Sequence, residues 1–185
     1  MKQKNDQTIK AHIPAKQKKV CMLGEFSVGK TSLVRQFVEG QFSDKYLSTV
    51  GAKVSRRKVA VEVGGQAQEA VLLIWDLVGG EKFDRVMENY YRGSAGAILV
   101  CDLTRRETLT ALSDYADNFW GVRPQVPLVL VGNKVDLSDQ IVISDDELTQ
   151  LAEQLGSKFF LSSAKTGQNV EDIFNFLAER VLVTG

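Results

Sequence analysis

The run from Gly24 to Thr31 constrains the fold of this chain more than any other segment. It fits the pattern G-x-x-x-x-G-K-T, which is typical of a loop that surrounds phosphate groups. An apolar run at 20–23 precedes it and a helix-like run at 32–38 follows it, so the loop is predicted to join a strand to a helix. A glycine-containing turn that fits the pattern by chance is the alternative, and the strand–loop–helix context argues against it.

The residue types of this loop suit a triphosphate. Backbone N–H groups of a tight loop and of the following helix start bring positive dipole ends to phosphate oxygens without side-chain bulk. The Lys30 ammonium can reach the outer phosphates, and the Thr31 hydroxyl is a hard oxygen ligand suited to Mg²⁺. The candidate nucleotide contacts in this segment are Ser27, Val28, Gly29, Lys30, Thr31 and Ser32.

Strand and helix patterns alternate along the rest of the chain. Strands are predicted at 20–24, 70–75, 95–102, 127–132 and 157–161, with a further strand that ends at 59–63. Helices are predicted at 30–40, 104–120, 144–155 and 169–183, and a loop with an irregular helix over 78–92. Gly64 and Gly65 permit a hairpin turn between the second and third strands. Capping boxes are predicted at Thr104 with Glu107 and at Ser144 with Glu147. The alternation predicts an α/β fold with a mostly parallel sheet, one antiparallel edge strand and helices on both faces.

Composition and length favour one domain. The 185 residues, with 44% hydrophobic and 25% charged side chains, are ordinary for a soluble globular protein, and we expect a domain at 19–185. No apolar run is long enough to span a membrane and no signal peptide is evident, so a cytoplasmic protein is expected. Cys21 and Cys101 lie in predicted strands and favour buried, reduced thiols over a disulfide, while His12 gives no support for histidine catalysis.

The first 18 residues form a basic leader that we expect to be flexible. Six lysines oppose a single acid, Asp6, in the first nineteen residues. The leader either keeps the chain soluble or touches an anionic lipid surface or an acidic partner; the spread of its lysines and the lack of an apolar face favour the first. Any membrane contact is expected to be peripheral.

Further motifs follow the other predicted strands, whose carboxyl ends share one edge of the sheet. Asp76 and Gly79 fit D-x-x-G: the carboxylate can hold Mg²⁺ through water, and the glycine can bring its N–H to a terminal phosphate, although a turn aspartate is the better reading of this motif alone. The run 133–136 fits N-K-x-D, in which the Asp136 carboxylate can accept both donors of a guanine edge, a pair that adenine lacks. Asn133 can brace this loop, and the Lys134 stem can cover the base. A backbone N–H in the run Ser162, Ser163, Ala164, Lys165 can reach the guanine oxygen.

Taken together, these motifs resemble the Ras-like small GTPases, and most closely the Rab branch, over about residues 18–182. The run 46–51 resembles the Rab first switch, and 90–94 resembles the end of its second switch. The resemblance implies a P-loop NTPase fold with a six-stranded sheet and a GTP/GDP switch that uses Mg²⁺. It also implies that Thr31, Thr49 and Asp76 hold the metal, that Thr49 does so in the GTP state only, and that Phe42 packs against the guanine.

The chain departs from the family at the hydrolytic machinery. The family usually places a water-orienting glutamine where this chain has Gly80, so Lys30, Thr49 and Gly79 are left as the candidate catalytic residues. Leu77 and Val78 replace the usual Thr-Ala. Phe26 adds bulk to the phosphate loop, where it either crowds the attacking water and an activating arginine or shields the nucleotide. The chain also carries no cysteine after Cys101, which favours the absence of a prenyl anchor.

Three functions compete. We expect a switch with weak or partner-dependent GTPase activity; a GTP-binding scaffold that does not cycle is the alternative. An ATP-dependent kinase or ATPase would fit the phosphate loop alone, and the N-K-x-D motif argues against it. Effectors, exchange factors or activating proteins are expected to use the segments near 42–51 and 78–93 of a monomer, with no nucleic-acid partner.

Overall fold

The structure is a computed structural model that describes residues 15–45, 48–80 and 85–184. The strands are β1 Lys16–Leu23, β2 Ala52–Val63, β3 Gln66–Leu77, β4 Gly96–Asp102, β5 Leu128–Asn133 and β6 Phe159–Ser162. The helices are α1 Lys30–Glu39, α2 Arg85–Tyr91, α3 Arg106–Thr110, α4 Leu112–Val122, α5 Asp145–Gln154 and α6 Val170–Val183. A short 3-10 turn spans Ser138–Gln140.

The six strands form one sheet in the order β2-β3-β1-β4-β5-β6. Strand β2 pairs antiparallel with β3 at the edge, and all other neighbours are parallel. The predicted P-loop α/β fold, with its six strands and one antiparallel edge strand, is therefore confirmed. Because β1, β3, β4, β5 and β6 are parallel, their carboxyl ends lie along one edge of the sheet.

Two apolar layers cover the sheet. Helices α1 and α6 pack on one face, where the rings of Phe37 and Phe174 stack with centroids 4.0 Å apart. Helices α2, α3, α4 and α5 pack on the other face, around the edge-to-face pair of Tyr91 and Phe119. Strands β4 and β5 are buried along their whole length, as expected for strands covered on both sides.

The hairpin between β2 and β3 turns at the predicted glycines. Val63 pairs with Gln66, and Gly64 and Gly65 have φ values of 59° and 78°. Both angles lie in the left-handed region, which an L side chain adopts only at a cost.

The structure corrects two local predictions. Strand β1 begins at Lys16 rather than Val20, because residues 16–19 already pair with β3. The strand therefore includes the last three residues that were assigned to the leader. Residues 1–14 of the leader, including His12, lie outside the described part. The capping box at Thr104 and Glu107 does not form, since the Thr104 hydroxyl donates to Asp102 instead and the helix begins at Arg106.

Other local predictions are confirmed, except that the predicted helix at 104–120 is not one continuous helix. The capping box of Ser144 with Glu147 opens α5 with both of its hydrogen bonds. The predicted helix at 104–120 is divided at Ala111 into α3 and α4. Cys21 and Cys101 are buried free thiols. No helix in the described ranges is long and apolar enough to cross a bilayer.

Candidate functional site

A cavity of about 360 Å³ opens at the edge of the sheet where the parallel strands end. Most of the predicted site residues line it: Ser27, Gly29, Lys30, Thr31, Ser32, Phe42, Thr49, Gly79, Asn133, Lys134, Asp136, Ala164 and Lys165. Val28, Asp76 and Ser163 lie buried or partly buried behind this lining. The motifs, which are spread over 140 residues of sequence, therefore meet around one cavity.

The phosphate loop is closed around its own lysine. Lys30 Nζ donates to Gly24 O at 2.7 Å and to Glu25 O at 2.9 Å, and the residue is only 7% exposed. Burial lowers the Lys30 pKa to about 8, although the carboxylates of Asp76 and Glu25 oppose this shift. An ammonium held this way is largely desolvated, so it would interact strongly with an incoming anion.

A second feature of the loop is its contact with the segment 133–136. Gly29 has a φ of 102°, and a Cβ at this position would lie 2.3 Å from Asn133 Nδ2. Only glycine suits both the left-handed backbone and this close approach.

Three oxygen-bearing side chains meet below Lys30. Thr31 Oγ1 donates its single hydrogen to Asp76 Oδ2 at 2.6 Å. In the hydrogen bond of 2.8 Å between the Thr31 and Thr49 hydroxyls, the donor is therefore Thr49. Asp76 is 1% exposed, and its Oδ1 has no hydrogen-bond partner among the described residues. Burial raises the Asp76 pKa, against the effects of the Thr31 hydrogen bond and of Lys30. The hydroxyls and the orphaned buried oxygen form a hard donor set that fits Mg²⁺.

Asn133 joins the loop 133–136 to the phosphate loop and to the segment 162–164. Its Nδ2 donates to Val28 O at 2.9 Å, while its Oδ1 accepts from Ser162 Oγ and from the Ala164 N–H, both at 3.2 Å. Ser163 Oγ donates to Asp136 Oδ1 at 2.6 Å, which orients the carboxylate and leaves its other oxygen for a ligand. Lys134 has a φ of 72°, and its ammonium lies 2.7 Å from Asp102 Oδ2.

The start of the segment 78–93 lies against the phosphate loop. A Cβ at Gly79 would come within 2.4 Å of Lys30 Nζ and 2.6 Å of the Glu25 backbone, so a side chain here requires the segment to move. The Gly80 N–H donates to Tyr115 Oη at 3.0 Å, and Tyr115 in turn donates to Glu25 Oε1 at 3.3 Å. Burial raises the Tyr115 pKa to about 12, so the phenol keeps its proton for this bond at neutral pH.

Comparison with known proteins agrees with this geometry. A family model described as Ras family matches residues 19–183. The chain belongs to the Ras family. The GTP-binding protein ypt4 of Schizosaccharomyces pombe is 37% identical over 158 residues, covering 84% of this chain and 68% of that protein. The Ras-related protein Rab-4 of Dictyostelium discoideum is 36% identical over 157 residues, covering 84% of this chain and 75% of that protein.

These relatives place the chain in the Rab branch of the Ras family, as the motifs predicted. Ras-family proteins generally hydrolyse GTP, typically with Mg²⁺, and interact with effectors and regulators. Within the described residues, no cluster of three or more His, Cys, Asp or Glu side chains could hold a metal.

The structure also shows the surroundings of Gly80 and Phe26, two positions at which this Ras-family chain departs from the usual pattern. Gly80 has a φ of 76°, and a Cβ there would lie 3.3 Å from Glu25 Oε2 and 3.6 Å from Phe26 Cβ. Phe26 is 47% exposed at the rim of the cavity. Most of the run 46–51 is described, but Tyr46 and Leu47 lie outside the described residues, as do residues 81–84.

Four residues that the motifs did not identify contribute to the site: Glu25, Asp102, Arg105 and Tyr115. Asp102 ends β4, and the rule that strand ends face the site could have identified it. Arg105 and Tyr115 carry no such signal, because their contacts to Phe26 O and to Gly80 depend on how α3 and α4 pack.

Proposed function

We propose that the protein binds GTP and GDP with Mg²⁺ and acts as a molecular switch. The observation that carries this proposal is the joining of the two halves of the cavity by Asn133, which sets the Asp136 carboxylate at a fixed position relative to the Lys30 loop. A guanine edge offers the Asp136 carboxylate two donors, whereas adenine lacks this pair.

The residues fit specific parts of such a nucleotide. Lys30 and the N–H groups of the phosphate loop would hold the phosphates, and Phe42 would cover the guanine from the cavity wall. Thr31, Thr49 and Asp76 would hold Mg²⁺, which neutralises phosphate charge when bound. Lys165 and Ala164 would lie beside the guanine oxygen.

We further propose that unassisted hydrolysis is slow, below about 10⁻⁴ s⁻¹. Gly80 has no side chain with which to orient a water molecule, and its N–H is engaged by Tyr115. Phe26 adds bulk beside it. Lys30, Thr49 and Gly79 would then supply the remaining stabilisation of the terminal phosphate.

Single-turnover hydrolysis of GTP, followed over hours by chromatography of the released nucleotide, tests the slow rate. A rate at or above that of ordinary Ras-like proteins would refute it, as would normal acceleration by an activating protein that supplies an arginine.

The second candidate function is a GTP-binding scaffold that does not cycle, and the missing side chain at Gly80 favours it. The nucleotide carried by the purified protein separates the two: mostly GDP supports a cycling switch, and mostly GTP supports the scaffold.

Partners are proposed to dock on the segments near 42–51 and 78–93. Val50 is 90% exposed and Val86 is 54% exposed, and each lies in one of these segments. Exposed apolar side chains in these segments suit a docking partner.

A further inference from the structure

Arg105 connects the phosphate loop to a buried carboxylate. The residue lies between β4 and α3, and its Nη2 donates to Phe26 O at 2.8 Å while its Nε donates to Asp102 Oδ2 at 3.1 Å. The Arg105 side chain is 36% exposed, whereas that of Asp102 is 2% exposed. The guanidinium therefore spans from the surface of the phosphate loop to the interior.

The same carboxylate also holds the base-recognition loop. Lys134 Nζ lies 2.7 Å from Asp102 Oδ2, the oxygen that Arg105 contacts. The other oxygen accepts from the Thr104 N–H at 3.0 Å and from its hydroxyl at 2.7 Å. Burial alone would raise the Asp102 pKa, but these donors outweigh burial and lower it, so the group is ionised at neutral pH. Two loops that line the cavity, at Phe26 and at Lys134, thus share one buried anion.

The phosphate loop needs support at this point. Ser27, which follows Phe26, has a φ of 64°. This backbone conformation is unfavourable for L residues other than asparagine and aspartate. Holding the Phe26 carbonyl restricts the peptide that leads into this residue, so Arg105 acts on the strained part of the loop.

We infer that Arg105 is a positioning residue for nucleotide retention, which couples the phosphate loop at Phe26 to the Lys134 loop through Asp102. The inference rests on the proposed nucleotide binding. Arg105 does not line the cavity. It would act by keeping the two loops in the arrangement that closes around a nucleotide.

The opposing explanation is a surface ion pair with no effect on the ligand. Exposed pairs of this kind contribute little to stability. A charge-assisted bond to the loop backbone contributes more, and its loss predicts about tenfold faster release of nucleotide.

The test measures dissociation of a fluorescent GDP analogue from the full chain in Mg²⁺, chased with excess GDP, for Arg105→Ala, Arg105→Lys and Arg106→Ala. Arg106 is a matched control, because this neighbouring arginine contacts Glu147 and Val142 O and does not line the cavity. We expect about tenfold faster release for Arg105→Ala, partial recovery for Arg105→Lys and no change for Arg106→Ala.

A double-mutant cycle adds a readout that general loosening of the fold would not give. In an Asp102→Asn background, Arg105→Ala is expected to have at most a twofold further effect, because without the carboxylate that orients it the guanidinium no longer holds Phe26 O. If the two substitutions had additive effects on the rate of GDP release, the inference would be overturned. It would also be overturned if Arg105→Ala released GDP at the wild-type rate. If the wild-type chain fails to retain GDP at all, the proposed function fails instead, so the two failures are distinguishable.

Discussion

Replacing Asn133 by alanine removes the side chain that joins the two loops of the nucleotide site. The Asn133 side-chain amide donates to Val28 O in the phosphate loop and accepts from the Ala164 N–H in the cavity's other loop. At about 0.5–1.5 kcal/mol for each neutral hydrogen bond, these two contribute about 1–3 kcal/mol to the arrangement that binds a nucleotide. That range corresponds to about 5- to 150-fold faster release of GDP.

The assay is stopped-flow dissociation of a fluorescent GDP analogue, with Asn169→Ala as the control. Asn169 also donates its amide to a backbone carbonyl, Leu161 O, but it does not line the cavity. The control is expected to lower the free energy of unfolding and to leave release within twofold of the wild type. If Asn133→Ala released GDP as slowly as this control, the two loops would not depend on the amide, and the reasoning would be wrong.

Three further predictions follow from contacts around the cavity and in the core. Gly79→Ala is expected to weaken GTP binding about tenfold relative to GDP binding, because a Cβ would overlap the phosphate-loop backbone. Calorimetry with both nucleotides checks this prediction, and a ratio of GTP to GDP affinity equal to that of the wild type would contradict it. Tyr115→Phe removes the acceptor of the Gly80 N–H, so that amide should exchange with solvent about fivefold faster by NMR, and equal exchange would exclude the bond. Burial raises the thiol pKa to about 11 for Cys21 and about 12 for Cys101. As the pH rises, the unfolded chain therefore loses these thiol protons before the folded chain does. The free energy of unfolding, measured in urea, should decline from about pH 9 upward. If a Cys21→Ala, Cys101→Ala variant showed the same decline, the pH dependence would come from groups other than the two thiols.

The positions of the motifs were predictable because parallel strands end at one edge of a sheet. Gly24, Asp76, Asn133 and Ser163 each lie at or next to the end of a strand, and alternating strands and helices were enough to place them together. The glycine hairpin and the Ser144 capping box were predictable for a different reason, since their geometry depends only on residues close in sequence.

The failures arose where a distant or stronger partner decided the local structure. Thr104 fits a capping box, but the buried Asp102 carboxylate takes its hydroxyl and its N–H, so the helix starts later. The lysine-rich start of β1 reads as a polar leader, because its pairing with β3 is set about 54 residues away. The Arg105 and Tyr115 contacts were missed because they depend on packing that no short pattern encodes.

The most direct test of the account is calorimetric titration of the nucleotide-free chain with GDP and with ADP in the presence of Mg²⁺. We predict that GDP binds at least a hundredfold more tightly, because only guanine offers a pair of donors to the Asp136 carboxylate, and that Asp136→Ala abolishes most of this preference. Equal affinity for GDP and ADP, or a preference that survives Asp136→Ala, would contradict it.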